Sequence, residues 1–387
     1  MIQPSDRVKA VPPYLFAEIS KKIAEARKKG VDVISLGIGD PDMPTPDPVI
    51  EELCRAAHEP RNHQYPDYEG LFEFREAVAK WYKRRHEVTL DPDKEVLTLI
   101  GGKEGNLHLC LSIINPGDST LVPVPGYTPY RTSTIFCSGY PIDVPLLEKN
   151  NFLPDLSSIP RGAAKDSKII FVNYPNNPTG AVAGKEFYKE LIDFATENDL
   201  IACSDNPYSE IGYDGYRPLS FLEVSGAKDV GIELNSLSKP FNMTGWRIGM
   251  AAGNEEVIKA MGIIKNNTDS GVFNAVQYAG IKALSLPDSV LERTLEIYQK
   301  RRDLVYNTLS SIGLKCNKPK GSLYMWVKVP EGHSSGTFAA MVLEKAGVVI
   351  TPGAGYGKEG EGYFRISLTV PDARLTEAME RMRRVMR

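Results

Sequence analysis

The chain has 387 residues, of which 42% are hydrophobic and 25% charged, and its net charge is −3. This length suits about two domains of a globular protein, and the balanced charge gives no electrostatic reason to expect nucleic acid or an anionic membrane as a partner. The five cysteines are scattered, without a C-x-x-C pair or a His cluster at metal-ligand spacing, so we expect reduced thiols, no metal and a cytoplasmic location.

Hydrophobic periodicity predicts strands that alternate with helices along most of the chain. No stretch reaches the roughly 18 apolar residues of a membrane span, and residues 1–7 lack the apolar run of a signal peptide. The predicted helices cover 14–29, 47–57, 71–84, 106–114, 184–198 and 288–312, and the predicted strands cover 31–36, 96–100, 168–172, 200–204, 230–234, 323–329, 348–350 and 363–367.

This order of elements indicates an α/β fold with a doubly wound, mostly parallel sheet that has helices on both faces, followed by a smaller α+β domain. The apolar runs at 168–172 and 200–204 have no polar alternation, as strands buried on both faces require. We place an N-terminal helix and segment that pack with the small domain at 1–44, the large domain at 45–280 and the small domain at 281–387.

The stretch N-S-L-S-K-P-F-N-M-T-G-W-R-I-G at 235–249 follows a predicted strand and is the most informative part of the chain. Lysine can form a Schiff base with a carbonyl, while serine and arginine can hold a phosphate. Pyridoxal phosphate carries both groups. The alternative is a solvated loop lysine, since lysines are mostly exposed. The residues concerned are Ser236, Ser238, Lys239 and Arg247.

Other predicted strands also end in residues suited to a ligand. Gly102 and Lys103 stand between a strand and a helix, where free backbone N–H groups favour phosphate. Asp205 follows the strand at 200–204, and a carboxylate is costly to bury there unless it meets a cation such as a protonated pyridine nitrogen. Gly39 permits a close approach of the backbone to a ligand. The alternatives are plain turns at the glycines and a solvated Asp205.

The S-x-S-K pattern followed by G-W-R-x-G, together with N-P-T-G at 177–180, resembles the class I and II aminotransferases, which are fold type I enzymes dependent on pyridoxal phosphate. The matching positions run from Leu36 to Arg365 in the family's order. The resemblance implies pyridoxal phosphate as cofactor, a Schiff base at Lys239, amino acids and 2-oxo acids as substrates, and a homodimer with shared active sites.

The resemblance also implies a role for each matching residue. Lys239, Asp205 and Tyr208 would be catalytic, with Asp205 on the pyridine nitrogen and Tyr208 on the ring oxygen. The other cofactor contacts would be Gly102, Lys103, Tyr127 stacked on the ring, Asn177, Ser236, Ser238, Arg247 and, from the neighbouring subunit, Tyr65. Substrate contacts would come from Tyr14, Gly39, Lys103, Tyr127, Asn177, Asn274 and Arg365, with Arg365 on the α-carboxylate. Asn177 can also form an Asx turn, and we expect Tyr130 to be a packing residue.

Four segments narrow the resemblance further. P-Y-L-F at 13–16, L-G-I-G-D-P-D, G-G-K-E-G and S-K-P-F-N-M-T-G-W-R-I-G are together similar to the LL-diaminopimelate aminotransferase family, which implies amino transfer between LL-diaminopimelate and 2-oxoglutarate in lysine biosynthesis. The alternatives are an aminotransferase acting on aspartate, alanine or aromatic amino acids, a β-lyase, and a cofactor-binding regulator. A regulator would carry a DNA-binding domain ahead of this fold, where the sequence has about 30 residues and no basic patch.

Overall fold

A computed structural model describes residues 2–12 and 15–386 of the chain. Within these residues the strands are β1 (Ile34–Ser35), β2 (Val96–Leu99), β3 (Ser119–Val124), β4 (Tyr140–Pro145), β5 (Ser167–Val172), β6 (Ile201–Asp205), β7 (Gly231–Ser236), β8 (Gly249–Gly253), β9 (Tyr324–Lys328), β10 (Val348–Val349), β11 (Thr351–Pro352) and β12 (Tyr363–Ser367).

The helices of the same residues are α1 (Asp6–Lys9), α2 (Leu15–Lys28), α3 (Asp47–Ala57), α4 (Phe72–His86), α5 (Gly102–Ile113), α6 (Pro129–Phe136), α7 (Arg161–Lys165), α8 (Lys185–Asn198), α9 (Ala227–Val230), α10 (Glu255–Thr268), α11 (Asn274–Leu284), α12 (Asp288–Ser311), α13 (Ser335–Ala346) and α14 (Asp372–Val385). Searched over the described residues, no helix is long and apolar enough to cross a membrane.

The larger sheet has seven strands in the order β2-β8-β7-β6-β5-β3-β4. Neighbouring strands are parallel, except that β8 runs antiparallel to both β2 and β7. Strands β2, β3, β5, β6 and β7 therefore end at the same edge of the sheet, and their following loops meet there. This arrangement confirms the predicted mostly parallel α/β sheet.

Helices cover both faces of this sheet because its strands are apolar on both sides. Along β5, Ile169 and Phe171 belong to the core that includes residues of α5 and α10, whereas Ile170 and Val172 belong to the core that includes residues of α4 and α8. Successive side chains of a strand point to opposite faces, so one strand contributes to both cores.

A second apolar core lies in the C-terminal part of the chain. Strands β11, β12 and β9 form an antiparallel sheet, and β1 pairs in parallel with β10, which brings residues 34–35 to this part of the molecule. Helix α12 reaches both parts, since Leu291 belongs to the core of the large sheet and Val305 to the C-terminal core. The division of the chain at residues 44 and 280 stays a prediction.

Two of the predicted boundaries that differ from the structure bear on the position of the cavity. Helix α5 begins at Gly102 rather than at residue 106, so Gly102 and Gly105 belong to its first turn and Gly101 precedes it. Strand β7 continues through Ser236, beyond the predicted end at residue 234, because its residues 232–236 pair with β8. Both differences lie at the carboxyl edge of the sheet.

Candidate active site

A cavity of about 330 Å³ opens at the carboxyl edge of the large sheet. The loops after β2, β3, β5, β6 and β7 all contribute to its wall, as expected for the carboxyl ends of parallel strands. Twelve of the predicted site residues line it: Gly39, Gly102, Lys103, Tyr127, Asn177, Asp205, Tyr208, Ser236, Ser238, Lys239, Arg247 and Arg365.

Lys239 lies three residues beyond the end of β7 and points into this cavity from the sheet edge. Its Nζ donates a hydrogen bond of 2.6 Å to the carbonyl oxygen of Gly39. Burial lowers the pKa of the Lys239 amine below its ordinary value, because the charged form loses solvation. A larger fraction of this amine is therefore neutral and nucleophilic near neutral pH than for an exposed lysine.

Asp205 is the last residue of β6 and is only 4% exposed. Its Oδ2 accepts hydrogen bonds from the Tyr130 hydroxyl at 2.8 Å and from Nδ2 of Asn106 at 3.4 Å. Burial raises the pKa of Asp205 to about 6, although both hydrogen bonds oppose the shift. Such a carboxylate has a strong preference for a cationic ligand, since a nearby positive charge would offset its lost solvation.

The first turn of α5 and the loop after β7 form an anion-binding corner of the cavity. Gly101, the residue before α5, has a φ of 91°, and a Cβ there would lie 2.4 Å from Nη2 of Arg247. The same Nη2 donates to the carbonyl oxygen of Ile100 at 3.0 Å. Ser236 Oγ and Ser238 Oγ are 2.9 Å apart on the adjacent wall. Helix N–H groups, hydroxyls and a guanidinium together suit a phosphate group.

Arg365 on β12 reaches the cavity from the C-terminal part of the chain and is buried. Its Nη1 donates to Oδ1 of Asn177 at 2.8 Å, and its Nη2 donates to the carbonyl oxygen of Gly37 at 2.6 Å. The guanidinium carbon lies 4.0 Å from the centre of the Tyr324 ring. These contacts hold the planar guanidinium in one orientation, as bidentate binding of a carboxylate requires.

Three predicted residues are not among those that line the cavity. Tyr65 is 84% exposed, and Asn274 is the buried first residue of α11, where its Oδ1 accepts a bond of 3.4 Å from Nε2 of Gln277. Tyr14 lies outside the described residues. The predicted contacts of Tyr65 and Asn274 involve a neighbouring subunit or its site, and they stay predictions.

The structure adds residues that sequence reasoning missed. Tyr130 stacks on Phe171 with ring centres 4.8 Å apart, which agrees with packing, but its hydroxyl also holds Asp205. Asn173 donates to the Asp205 carbonyl oxygen at 2.6 Å. The Tyr324 hydroxyl lies 3.0 Å from that of Tyr208. The sequence offers one indication for Asn173, a polar residue directly after a buried strand, but no local pattern indicates Tyr324.

The residues around the cavity fit pyridoxal phosphate by their chemistry. The Lys239 amine, whose pKa is lowered, suits the carbonyl group of the cofactor. The buried Asp205 carboxylate suits its positively charged ring, because a cation would offset the lost solvation that raises the pKa of Asp205. The anion-binding corner with Arg247 suits its phosphate. Tyr127 lines the same space with an aromatic ring. Amine, carboxylate and anion site thus occur together in one cavity.

Comparison with known proteins agrees with this arrangement. The chain is 56% identical over 379 residues, 98% of its own length and 97% of the relative's, to an LL-diaminopimelate aminotransferase of Halothermothrix orenii. BacF of Bacillus subtilis has a similar structure, with a TM-score of 0.95, 38% identity and coverage of 99% of this chain and 98% of that one. A single mutant of Thermus thermophilus aspartate aminotransferase gives a TM-score of 0.93 at 33% identity, with 100% of both chains covered.

A family model described as aminotransferase class I and II matches residues 31–382, nearly the whole chain. Twelve of the residues predicted for that family's site, from Gly39 to Arg365, meet in the cavity. The chain therefore belongs to the class I and II aminotransferases, whose cofactor is pyridoxal phosphate.

Proposed function

We propose that this enzyme transfers an amino group between LL-diaminopimelate and 2-oxoglutarate in lysine biosynthesis. The observation that carries this proposal is the 56% identity, over nearly the full length of both chains, to a relative named for that activity. An aspartate aminotransferase shares the fold at only 33% identity. Because substrate pockets diverge on a shared fold, the nearer relative is the better guide to the substrate.

The protein's own residues support the steps of such a reaction. When bound, pyridoxal phosphate acts as an electron sink that stabilises negative charge at the substrate α-carbon. Arg365 would bind and orient the substrate α-carboxylate, and Asp205 would hold the positive charge of the pyridine ring. The freed Lys239 amine would take the proton from the α-carbon as general base and then, as general acid, give it to the C4′ carbon of the cofactor. The lowered pKa of Lys239 keeps this amine available as a base.

Asp40 supplies a partner for the second ammonium group of LL-diaminopimelate. It is exposed at the rim of the cavity, directly after Gly39, whose carbonyl oxygen accepts from Lys239. Among the described residues, two carboxylates line the cavity, and the other one, Asp205, is buried and would hold the pyridine nitrogen. The distal end of LL-diaminopimelate carries an ammonium group beside its second carboxylate, and Asp40 would accept a hydrogen bond from that ammonium group.

We further propose a homodimer with shared active sites. Three aromatic side chains are exposed on neighbouring loops, namely Tyr65 (84%), Tyr68 (48%) and Phe273 (43%). The two loops contact each other at Gly271 and Pro66, where a Cβ on Gly271 would lie 3.0 Å from Cγ of Pro66. Exposed aromatic side chains grouped in this way are typical of a protein interface. In such a dimer, Tyr65 of one subunit would reach the phosphate site of the other.

Five free cysteines support a reducing, cytoplasmic location.

A screen of half-reactions tests the proposed substrates. Enzyme loaded with pyridoxal phosphate is mixed separately with LL-diaminopimelate, glutamate, aspartate, alanine and phenylalanine, and the visible absorbance of the lysine-bound cofactor is followed. We expect fast loss of this absorbance with LL-diaminopimelate and glutamate alone. Conversion by aspartate or alanine with inert LL-diaminopimelate would contradict the proposal and favour the general aminotransferases, and release of pyruvate and ammonia would indicate a β-lyase.

A further inference from the structure

A buried charge cluster lies behind the anion-binding corner, away from the residues that line the cavity. Its members are Glu104 in the first turn of α5, Lys265 in the last turn of α10, and Asp269 directly after that helix. Nζ of Lys265 donates to Oε1 of Glu104 at 2.9 Å and to the Asp269 carboxylate at 2.9 and 3.1 Å. Lys265 is 0% exposed, so this network fixes its geometry far better than a surface ion pair would.

The cluster is not arranged for a metal ion. Glu104, His108 and Asp269 each place a potential ligand atom within 4.8 Å of the others. The Lys265 ammonium, however, already bonds two of these three residues. It therefore occupies the place of a cation and supplies the positive charge that the two carboxylates need.

The second oxygen of Glu104 connects the cluster to the anion-binding corner. Oε2 of Glu104 accepts the backbone N–H of Ile100, while the carbonyl oxygen of Ile100 accepts from Nη2 of Arg247. The peptide groups on both sides of Ile100 are thus held, one by Glu104 and the other by Arg247. The next residues along the chain, 101–103, lead into α5, and Gly102 and Lys103 line the cavity at the anion-binding corner.

Asp269 extends the connection to the loop beyond α10. Its Oδ1 accepts the backbone N–H of Gly271 at 2.7 Å, and the backbone at Gly271 packs beside Pro66, next to Tyr65. One continuous network therefore runs from the phosphate-facing turn to the loops that carry the exposed aromatic side chains.

We propose that Glu104, held in place by Lys265 and Asp269, is a positioning residue for the cofactor's phosphate. It keeps the 100–103 turn and Arg247 in the arrangement that binds the phosphate, without contacting the cofactor itself. The proposal rests on pyridoxal phosphate as the cofactor, whose attachment the Lys239→Ala variant tests separately.

The test compares Glu104→Gln with a matched control, Glu95→Gln. Glu95 also accepts one backbone N–H, from Asp91 at 2.8 Å, and one lysine, Lys228 at 2.6 Å, and its side chain is 18% exposed against 15% for Glu104. It lies just before β2, whereas Glu104 lies beyond the other end of that strand. The two substitutions remove the same chemistry at opposite ends of β2.

Affinities of the apoenzyme for pyridoxal phosphate, inorganic phosphate and pyridoxal are measured by titration. Glu104→Gln should weaken pyridoxal phosphate and inorganic phosphate roughly tenfold, the size expected for a lost charge-assisted hydrogen bond, and leave pyridoxal, which lacks the phosphate, unchanged. Glu95→Gln should leave all three affinities unchanged while lowering thermal stability.

Two results would overturn the proposal. The first is an unaltered affinity of Glu104→Gln for pyridoxal phosphate. The second is an equal loss of affinity of Glu104→Gln for pyridoxal, or an equal loss of phosphate affinity in Glu95→Gln, because either would indicate a general structural role. If Glu104→Gln does not fold, Asp269→Asn tests the same link at a partly exposed side chain, with a smaller selective loss for the two phosphate ligands expected and unchanged affinities contradicting it.

Discussion

Burial sets the charge state of two side chains in this cavity, Lys239 and Asp205. Lys239 and Asp205 are shifted in opposite senses, the amine toward its neutral form and the carboxylic acid to a pKa of about 6. In both cases lost solvation is the leading cause. Both groups are thus prepared for a ligand that offers a carbonyl and a cationic ring.

Replacing Lys239 by alanine should abolish transamination, because the variant lacks the amine that attaches the cofactor and moves the α-proton. The absorbance spectrum after addition of pyridoxal phosphate should lack the band of the lysine-bound form, and half-reactions with glutamate should show no turnover. Retained activity would contradict the assignment of this lysine.

Asp40→Asn should raise KM for LL-diaminopimelate about tenfold, the effect of removing a charged hydrogen-bond partner. The glutamate half-reaction should be unchanged, since glutamate has no second ammonium group. Asp42→Asn is the matched control, because Asp42 already binds Arg301 through both oxygens at 2.6 and 2.9 Å. Equal effects of Asp40→Asn on both substrates would refute the proposed contact.

The raised pKa of Asp205 should also make the stability of the apoenzyme depend on pH. Its pKa is raised from 3.8 to about 6, so between these values the folded apoenzyme binds more protons than the unfolded chain and loses stability as pH rises. Apo Asp205→Asn lacks this loss. Its melting temperature relative to wild type should therefore increase from about pH 4 to about pH 6, and a constant difference across that range would speak against the shift.

At the scale of elements, the turn between β2 and α5 decides how the phosphate is held. Its last residue, Gly101, has a positive φ of 91° and no room for a side chain beside Arg247. Only two residues separate the end of β2 at Leu99 from the start of α5 at Gly102. This short connection places the positive N-terminal end of the helix dipole at the cavity.

Gly101→Ala should weaken pyridoxal phosphate binding strongly, because the new methyl group displaces the Arg247 guanidinium. Gly117→Ala is the matched control, since Gly117 has a similar φ of 95° and nothing within 4 Å of an added Cβ. Both variants should lose about 1 kcal/mol of stability through backbone strain, but only the first should lose cofactor affinity in a titration of the apoenzyme. Similar affinity losses in both would contradict the steric argument.

At the scale of the whole molecule, the site joins distant parts of the chain. Arg365 comes from the C-terminal sheet, Gly39 from the segment after β1, and Lys239 from the loop after β7. The proposed homodimer adds Tyr65 of a second copy, so each assembly would hold two composite sites.

Mixing two impaired variants tests these composite sites. Tyr65→Ala and Lys239→Ala subunits are unfolded together and refolded as a mixture. In a hybrid dimer one site carries both substitutions and the other carries neither, so the mixture should be more active than the sum of its parents. Light scattering should report twice the 42.8 kDa chain mass. A monomer, or activity that only adds, would exclude shared sites.

Much of this architecture follows from local sequence. Apolar runs such as 168–172 predict strands buried on both faces, and polar residues directly after strands predict the edge at which the cavity lies. The motifs around Lys239, Asn177 and Arg365 identify the family. These inferences succeed because strand periodicity and ligand chemistry are properties of neighbouring residues.

Other features depend on residues far apart in the chain, and only the folded structure shows them. The Tyr130 hydroxyl reaches Asp205 across 75 positions, and the Lys265 ammonium reaches Glu104 across 161. No periodicity marks such a partner, since a hydrogen bond is set by where two elements pack. Local sequence thus predicts four of the seven strands of the large sheet, the cofactor chemistry and the family. Which side chains hold the catalytic groups follows only from the folded structure, because burial and orientation arise when the elements assemble.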